Sequence, residues 1–180
     1  KNISYKNPSL QKLIKETSQN ATVGIHPSFL SYKRIDKIKV ELDRLNNILG
    51  CDVDISRNHF LRISIPETYI ALIDAGIRED FTMGFSDAVG FRAGICTPYY
   101  FFDLLKNQVT ELKVVPFAYM DGVLNDHLKL NPEEAIEKIQ VLKNRIKEVN
   151  GLFSGIWHNE SVSDKGRWYG WRKVYESSFL

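Results

Sequence analysis

The sequence Thr22-Val23-Gly24-Ile25-His26-Pro27-Ser28 joins a short apolar run to a histidine and a proline. Residues 23–25 have the composition of a buried β-strand, and Pro27 ends it because proline has no N–H for a sheet ladder. A long amphipathic helix is predicted at residues 33–49, where apolar side chains recur every three or four positions. α/β proteins place their chemistry at the carboxyl end of a buried strand that precedes such a helix. The pattern therefore marks His26 as a candidate functional residue.

The same order of strand, polar residue and helix recurs along the rest of the chain. Further strands are predicted at residues 53–56, 81–85, 112–120 and 152–157, and further helices begin near Pro8, Pro66, Tyr99 and Pro132. Pro116 indicates an edge position or a bulge in its strand. Helices of crossover length between strands imply parallel strands with the helices outside. The sequence therefore predicts the α/β class, with a single domain over residues 1–180 built on one continuous sheet or barrel.

The composition restricts the classes of function. The chain has 180 residues, 43% hydrophobic and 26% charged, which is typical of one globular domain. A formal net charge of +2 gives no reason to expect a nucleic-acid partner. Cys51 and Cys96 are too few for a disulfide framework, and no apolar run is long enough for a membrane span. The lack of a visible signal peptide favours a cytoplasmic location. The oligomeric state does not follow from the sequence.

Polar side chains follow nearly every predicted strand. The carboxyl ends of parallel strands face the same side of a sheet, so these side chains are expected to meet on one rim. They include three of the four histidines, and the fourth, His127, is expected to face solvent. The residues at the predicted strand ends are His26, Ser56, Arg57, His59, Ser86, Asp87, Asp121, His158 and Asn159.

Two imidazoles and a carboxylate on one rim can hold a divalent metal with an open coordination position. Each of these residues also has a purely structural alternative. His26 can be a hydrogen-bonded structural residue, and Asp121 can cap the following turn. Arg57 can form an ion pair with Asp80 or Asp87. The number of such residues at strand ends favours a shared site, but their spacing names neither the metal nor the reaction.

Five blocks of the sequence carry a likeness to a known family. They are Gly24-Ile25-His26-Pro27-Ser28, Ser56-Arg57-Asn58-His59-Phe60-Leu61-Arg62, Asp80-Phe81-Thr82-Met83-Gly84-Phe85, Gly90-Phe91-Arg92-Ala93-Gly94 and Trp157-His158-Asn159. Together they resemble a bacterial branch of the polysaccharide deacetylase (NodB-like) family, from about Val23 to Trp171. The resemblance implies an irregular (β/α) barrel that removes N- or O-acetyl groups from glycans. It also implies a divalent metal, expected to be zinc, held by one Asp and two His.

The resemblance assigns metal-binding roles to two histidines. His26 matches the first metal-binding His, while Phe29 and Leu30 stand where the second is usual, so His59 at the next strand end is expected to supply it. The family's Asp pair, one base and one metal ligand, lies on a strand before the first His. Nothing in residues 1–20 resembles that strand, so the strand and its Asp pair are expected upstream of Lys1 or to be missing. The barrel is accordingly expected to be incomplete at its N-terminus.

The resemblance also implies catalytic residues. Ile156-Trp157-His158 fits the final motif, which makes His158 the general acid. Arg57 matches the arginine motif, although the Pro and Gly that follow in the family are absent here. Arg57 and Asp87 are expected to assist catalysis by setting the pKa of a partner group.

Aromatic and acidic residues near the last strands are expected to bind the substrate. Trp157 and Asp121 are assigned this role. Trp168 and Trp171 either stack on sugar rings or pack within the C-terminal segment.

Three functions are consistent with these patterns. The first is a metal-dependent hydrolase that removes acetyl groups from an amino sugar or polysaccharide, with a glycan or acetylated sugar as its partner. The second is a catalytically degenerate glycan-binding domain of the same fold. The third is another metal-assisted hydrolase of non-peptide C–N bonds.

Overall fold

A computed structural model describes residues 3–32 and 34–179 and shows a mixed α/β protein. The chain divides into two compact units: the first contains Lys1–Thr82 and Tyr99–Val114, and the second contains Met83–Pro98 and Val115–Leu180. In the described residues the α-helices are α1 (Pro8–Ser18), α2 (Ile35–Leu49), α3 (Glu67–Asp74), α4 (Pro132–Glu148) and α5 (Trp171–Ser177). The strands are β1 (Ile55–Ser56), β2 (Glu79–Asp80), β3 (Tyr99–Asp103), β4 (Gln108–Val114), β5 (Tyr119–Met120) and β6 (Gly155–Ile156).

The first unit contains a four-stranded sheet in the order β1-β2-β4-β3. Strands β1, β2 and β4 are parallel, and β3 runs antiparallel to β4. Helices α1, α2 and α3 belong to the same unit, and α2 ends at Gly50, whose φ of 76° is the left-handed conformation that glycine adopts without strain. The helices predicted near Pro8 and from residue 33 are confirmed, apart from Lys33 itself, which lies outside the described residues.

The predicted first strand is reduced to one bridge, and that bridge positions the histidine. Ile25 pairs in parallel with Ser56, and its N–H donates to Ile55 O at 2.8 Å. A Cβ on Gly24 would lie 2.9 Å from Ile55 O, so only glycine permits this close approach of the two backbones. The pairing brings the chain after Ile25 alongside the chain after β1.

Residues 99–105 were predicted to form a short helix, and this prediction is wrong. They form strand β3 and the start of a turn into β4, because tyrosine and phenylalanine suit a half-buried pleated surface. Phe101 and Asp103 are buried while Tyr100 and Phe102 are exposed, which is the alternation of a strand. The antiparallel hairpin also makes the sheet mixed, so the prediction of uniformly parallel strands is wrong.

The second unit contains the parallel pair β5–β6 with helices α4 and α5. Helix α4 begins as predicted: the Asn131 side chain accepts from Glu134 N, and Glu134 accepts from Asn131 N. The strand predicted at residues 112–120 is interrupted around Pro116 and continues only as β5. The core packs α4 and α5 against β5 and contains Ala118, Tyr119, Leu124, Ala135, Ile139, Ile146, Trp168, Trp171 and Val174.

The α/β class is therefore confirmed. The strands of residues 3–32 and 34–179 form one mixed four-stranded sheet and one parallel pair, and no closed barrel is seen among them. None of the helices in the described ranges combines the length and apolar composition needed to cross a membrane.

Candidate functional site

The structure brings together two histidines that are 33 positions apart in the chain. His26 follows the bridge residue Ile25, and His59 opens a single 3₁₀ turn, His59–Leu61, just after β1. The atoms His26 Nε2 and His59 Nδ1 lie 2.9 Å apart. His26 is exposed and His59 is half-buried, so the pair is open to solvent.

The hydrogen bonds around His26 determine which of its nitrogens carries the proton. His26 Nδ1 lies 2.7 Å from Arg57 O, and a carbonyl oxygen only accepts, so Nδ1 is the donor. Neutral His26 therefore has its lone pair on Nε2, directed at His59. A backbone carbonyl that receives the outer N–H is the usual support of a metal-binding histidine.

The spacing of the two nitrogens shows that the imidazoles are hydrogen-bonded to each other. Because the lone pair of neutral His26 is on Nε2, His59 Nδ1–H donates to it, and the 2.9 Å separation is that of a hydrogen bond. No cluster of three or more His, Cys, Asp or Glu side chains suited to a metal is found within residues 3–32 and 34–179.

A buried carboxylate lies on the neighbouring strand of the same unit. Asp80 at the end of β2 is fully buried and accepts from Ser56 Oγ at 2.8 Å and from Thr82 Oγ1 at 2.7 Å. Burial raises the pKa of Asp80, although the hydrogen bonds from Thr82 and Ser56 and the charge of Arg57 oppose this. Burial likewise lowers the pKa of Arg57, and the charge of Asp80 opposes that change.

Arg57 makes contacts within this unit through both its side chain and its backbone. Its Nε donates to Phe81 O at 3.2 Å, and its own carbonyl holds His26. The guanidinium interacts electrostatically with Asp80, one of the two acids suggested by the sequence. Asp87, the other, belongs to the second unit and is exposed in the irregular segment after Thr82.

The second unit contains an Asp–His pair. Asp121 follows β5 and His158 follows β6 by two residues, so the parallel pairing of these strands places them side by side. Asp121 Oδ1 accepts from His158 Nδ1 at 2.8 Å, and Oδ2 accepts from the His158 backbone N–H at 2.7 Å. Ser161 Oγ donates to Oδ2 as well. Asp121 is fully buried, whereas the His158 side chain is 54% exposed.

The tryptophans divide between the core and a half-buried position. Trp168 and Trp171 are buried in the core of the second unit. Of the two roles expected for them, packing within the C-terminal segment is therefore confirmed, and stacking on sugar rings is not. Trp157 is half-buried, and its Nε1 donates to Tyr119 Oη at 3.1 Å. Burial raises the pKa of Tyr119, while hydrogen bonds with Ser178 and Trp157 lower it. The indole of Trp157 is therefore held by its hydrogen bond to Tyr119, and part of its surface is accessible to solvent.

Apart from Asp87, the residues predicted to have a metal-binding, catalytic or substrate-binding role fall into two groups. His26, Arg57 and His59 form one group in the first unit, and Asp121, Trp157 and His158 form another in the second. Ser161 was missed, since nothing in its sequence surroundings indicates a partner 40 positions away. Phe60 packs against His59, and its place in the sequence predicts no role for it.

No protein-family model, curated protein or solved structure matches this chain. The function therefore has to be argued from these two groups of residues.

Proposed function

We propose that the protein is a metal-dependent hydrolase that removes acetyl groups from an amino sugar or polysaccharide, on a framework of the NodB type. The observation that carries the proposal is the 2.9 Å approach of His26 Nε2 to His59 Nδ1. The carbonyl of Arg57 orients the first imidazole so that its lone pair faces the second. Two exposed or half-buried histidines that meet in this way support the proposal, because a divalent ion bound by both would displace the proton that their nitrogens share.

His26 and His59 would hold the metal, with the third protein ligand expected from a carboxylate. A bound divalent ion supplies Lewis acidity, which polarises an acyl carbonyl and lowers the pKa of a bound water. In this proposal the backbone carbonyl of Arg57 holds His26 in place, and Arg57 remains a candidate for assisting catalysis.

The assignment of His158 as the general acid is a separate part of the proposal, and it rests only on contacts within the second unit. Hydrolysis of an acetamide breaks the bond between the carbonyl carbon and nitrogen, and the departing nitrogen needs a proton. Asp121 receives Nδ1–H of the imidazole, which leaves Nε2 on the exposed side to deliver that proton. Because the Asp121 carboxylate is fully buried behind the imidazole, it acts here as a positioning residue and not as the substrate contact predicted from the sequence. Trp157 keeps its assignment as a substrate contact, and Asp87 remains a candidate for assisting catalysis.

Metal content and acetate release test the proposal together. The purified protein is assayed for bound zinc by mass spectrometry and for acetate release from N-acetylglucosamine oligomers. His26→Ala and His59→Ala are each expected to lose the bound metal and the activity. His127→Ala is the matched control, because His127 is exposed and belongs to neither group.

The alternatives predict different results. Binding of the oligomers without acetate release or metal would identify a degenerate glycan-binding domain. Release of ammonia or an amine from other amides, with none from acetylated sugars, would identify a different C–N hydrolase. Acetate release that survives both histidine substitutions would refute the proposal.

A further inference from the structure

The β3–β4 hairpin of the first unit carries apolar side chains that are exposed to solvent. Tyr100 and Phe102 are the exposed residues of β3, and Val109 of β4, also exposed, stands opposite Phe102 in the register. Two leucines in the turn after β3 are 84% and 81% exposed. These five side chains are called the hairpin patch below: Tyr100, Phe102, Leu104, Leu105 and Val109. A contiguous apolar patch on a protein surface marks an interaction site.

The side chains of the two leucines do not form the turn. Turns are usually made by glycine, proline, asparagine, aspartate or serine. Here Asp103 Oδ1 accepts from Leu105 N at 2.9 Å and from Lys106 N at 3.2 Å, and Asn107 adopts a left-handed φ of 50°. Because the leucine side chains gain almost no burial within the chain, their apolar surface contributes free energy only when a partner covers it.

Strand β3 is also an open edge of its sheet. It pairs with β4 on one side, and no backbone hydrogen bond from elsewhere in residues 3–32 and 34–179 reaches it. An edge strand presents unpaired N–H and C=O groups that can pair with a strand of another chain. Many proteins protect such an edge with lysine or proline, and β3 contains neither.

The charges of the hairpin are neutralised within the first unit. All four charged side chains of residues 99–114 are in ion pairs, which are Lys106–Asp103, Lys113–Glu79 and Arg78–Glu111. A surface with excess charge would repel an identical surface and would need a partner of opposite charge, such as an anionic lipid surface in the case of a cationic patch. The paired charges therefore favour a second copy of the chain.

The area of the hairpin patch matches one side of a protein interface. An aromatic side chain has about 150–250 Å² of surface, and leucine and valine have less, so the five exposed side chains offer on the order of 500 Å². About 57% of a typical interface is apolar, so this patch corresponds to roughly 900 Å² on each side. A standard interface buries about 800 Å² on each partner.

We propose that the hairpin patch is a homodimer interface in which the β3 strands of two copies pair antiparallel about a two-fold axis. Such an axis brings the same surface of both copies together, and antiparallel pairing satisfies both open edges at once. The pairing joins two four-stranded sheets into one of eight strands. This inference does not depend on the proposed hydrolase activity.

Sedimentation equilibrium at increasing protein concentration tests the dimer. The average mass is expected to rise from 20.8 kDa toward twice that value. Phe102→Lys and Leu105→Lys each place a charge in the interface and are expected to raise Kd for dimerisation at least about 10-fold. Leu13→Lys is the matched control, because Leu13 is an apolar residue of α1, 58% exposed, that lies outside the hairpin patch.

Leu105→Ser separates loss of the interface from loss of folding. It adds no charge to the turn and removes a side chain that makes almost no contact within the chain. The variant is expected to weaken the dimer while the Tm of the monomer, measured at low concentration, stays unchanged.

Hydrogen exchange distinguishes strand pairing from contact between side chains alone. The N–H groups of a peptide covering β3 are expected to exchange more slowly at high protein concentration than at low. A peptide covering β2 is the internal control, because β2 is already paired on both sides, and its exchange should not change.

Four results would overturn the inference. One is a chain that stays monomeric at every concentration, and another is a dimer that survives both lysine substitutions. The third is exchange at β3 that does not depend on concentration. The fourth is Leu105-dependent binding of the monomer to phosphatidylserine vesicles, which would assign the hairpin patch to a lipid surface.

Discussion

Nδ1 of His158 donates to Oδ1 of Asp121 at 2.8 Å, across 37 positions of sequence. The same carboxylate accepts the backbone N–H of His158 at 2.7 Å and that of Gly122 at 2.6 Å. Because Asp121 is fully buried and these bonds occupy both of its oxygens, the orientation of the imidazole is fixed before any ligand arrives.

Asp121→Asn is expected to lower kcat for acetate release by about 10²- to 10⁴-fold, with little change in KM. An amide cannot stabilise a protonated imidazole as a carboxylate does, and it matches the surrounding N–H and O–H donors less well. Steady-state kinetics measure the effect. The control is Asp126→Asn, whose carboxylate is largely exposed and pairs with Arg167. A change mainly in KM would show that Asp121 contacts the substrate after all.

Zinc is expected to stabilise the protein through the histidine pair. At a free concentration of 100 times Kd, a ligand that binds only the folded state adds about 2.7 kcal/mol to the free energy of unfolding. Thermal unfolding with and without zinc should therefore show a rise in Tm that chelator reverses. His26→Ala and His59→Ala should each abolish the rise, whereas His127→Ala should keep it. A rise that persists in both variants would locate the metal elsewhere.

The amino-acid sequence predicts best those helices and strands whose capping residues and apolar periodicity lie within the element itself. Helix α4 has a capping pair, a proline and a periodic apolar face within its own residues, and it forms as predicted. Strands β1, β2, β5 and β6 have two residues each, so their limits depend on pairing with distant segments. The aromatic run at residues 99–105 was misassigned because short apolar runs do not distinguish helix from strand by period alone.

The candidate site could be predicted in part, because some of its residues also have a local sequence signal. The position of His26 and His59 at strand ends led to the expectation that they meet, and they do. The contact of Ser161 with Asp121 depends on how the chain turns after β6, which no local pattern encodes. The left-handed backbone of Phe60 was equally hidden, because phenylalanine has no preference for it.

Asp80 is expected to make stability depend on pH. Its pKa is raised in the folded protein, mainly by burial, so the folded state binds this proton more tightly than the unfolded state. Its contribution to the free energy of unfolding is therefore fully present below the ordinary pKa of 3.8 and is lost as pH rises through the raised value. Urea unfolding across this range should show the loss in the native protein and not in Asp80→Asn.

Asp36 provides a control of opposite sign for Asp80. Its hydrogen bond from Arg34 lowers its pKa, so its contribution is present above the ordinary value and is lost on acidification. Asp36→Asn should therefore leave the loss at rising pH intact. A native protein that becomes more stable over the same rise would contradict the assignment to Asp80.

Gly155→Ala is expected to destabilise the second unit. A Cβ at this position of β6 would overlap the ring of Tyr119 and lie 2.7 Å from its hydroxyl oxygen. Tyr119 is 2% exposed and has little room to move, so overpacking of about 1–3 kcal/mol is expected. Displacing the ring also breaks its hydrogen bond with Trp157, whose indole rests on it. Urea unfolding gives the change in free energy, and near-UV circular dichroism reports the aromatic packing.

Gly122→Ala is the matched control in the same unit. Its φ is −63°, which any residue adopts, and the nearest atom to a new Cβ is 3.8 Å away. Alanine there should leave stability unchanged or raise it by about 0.4–1 kcal/mol, because it restricts the unfolded chain. Equal changes in the free energy of unfolding for the two substitutions would show that the Tyr119 ring moves aside to accommodate the added methyl group. The tight contact between β6 and Tyr119 would then have no part in holding Trp157 beside His158.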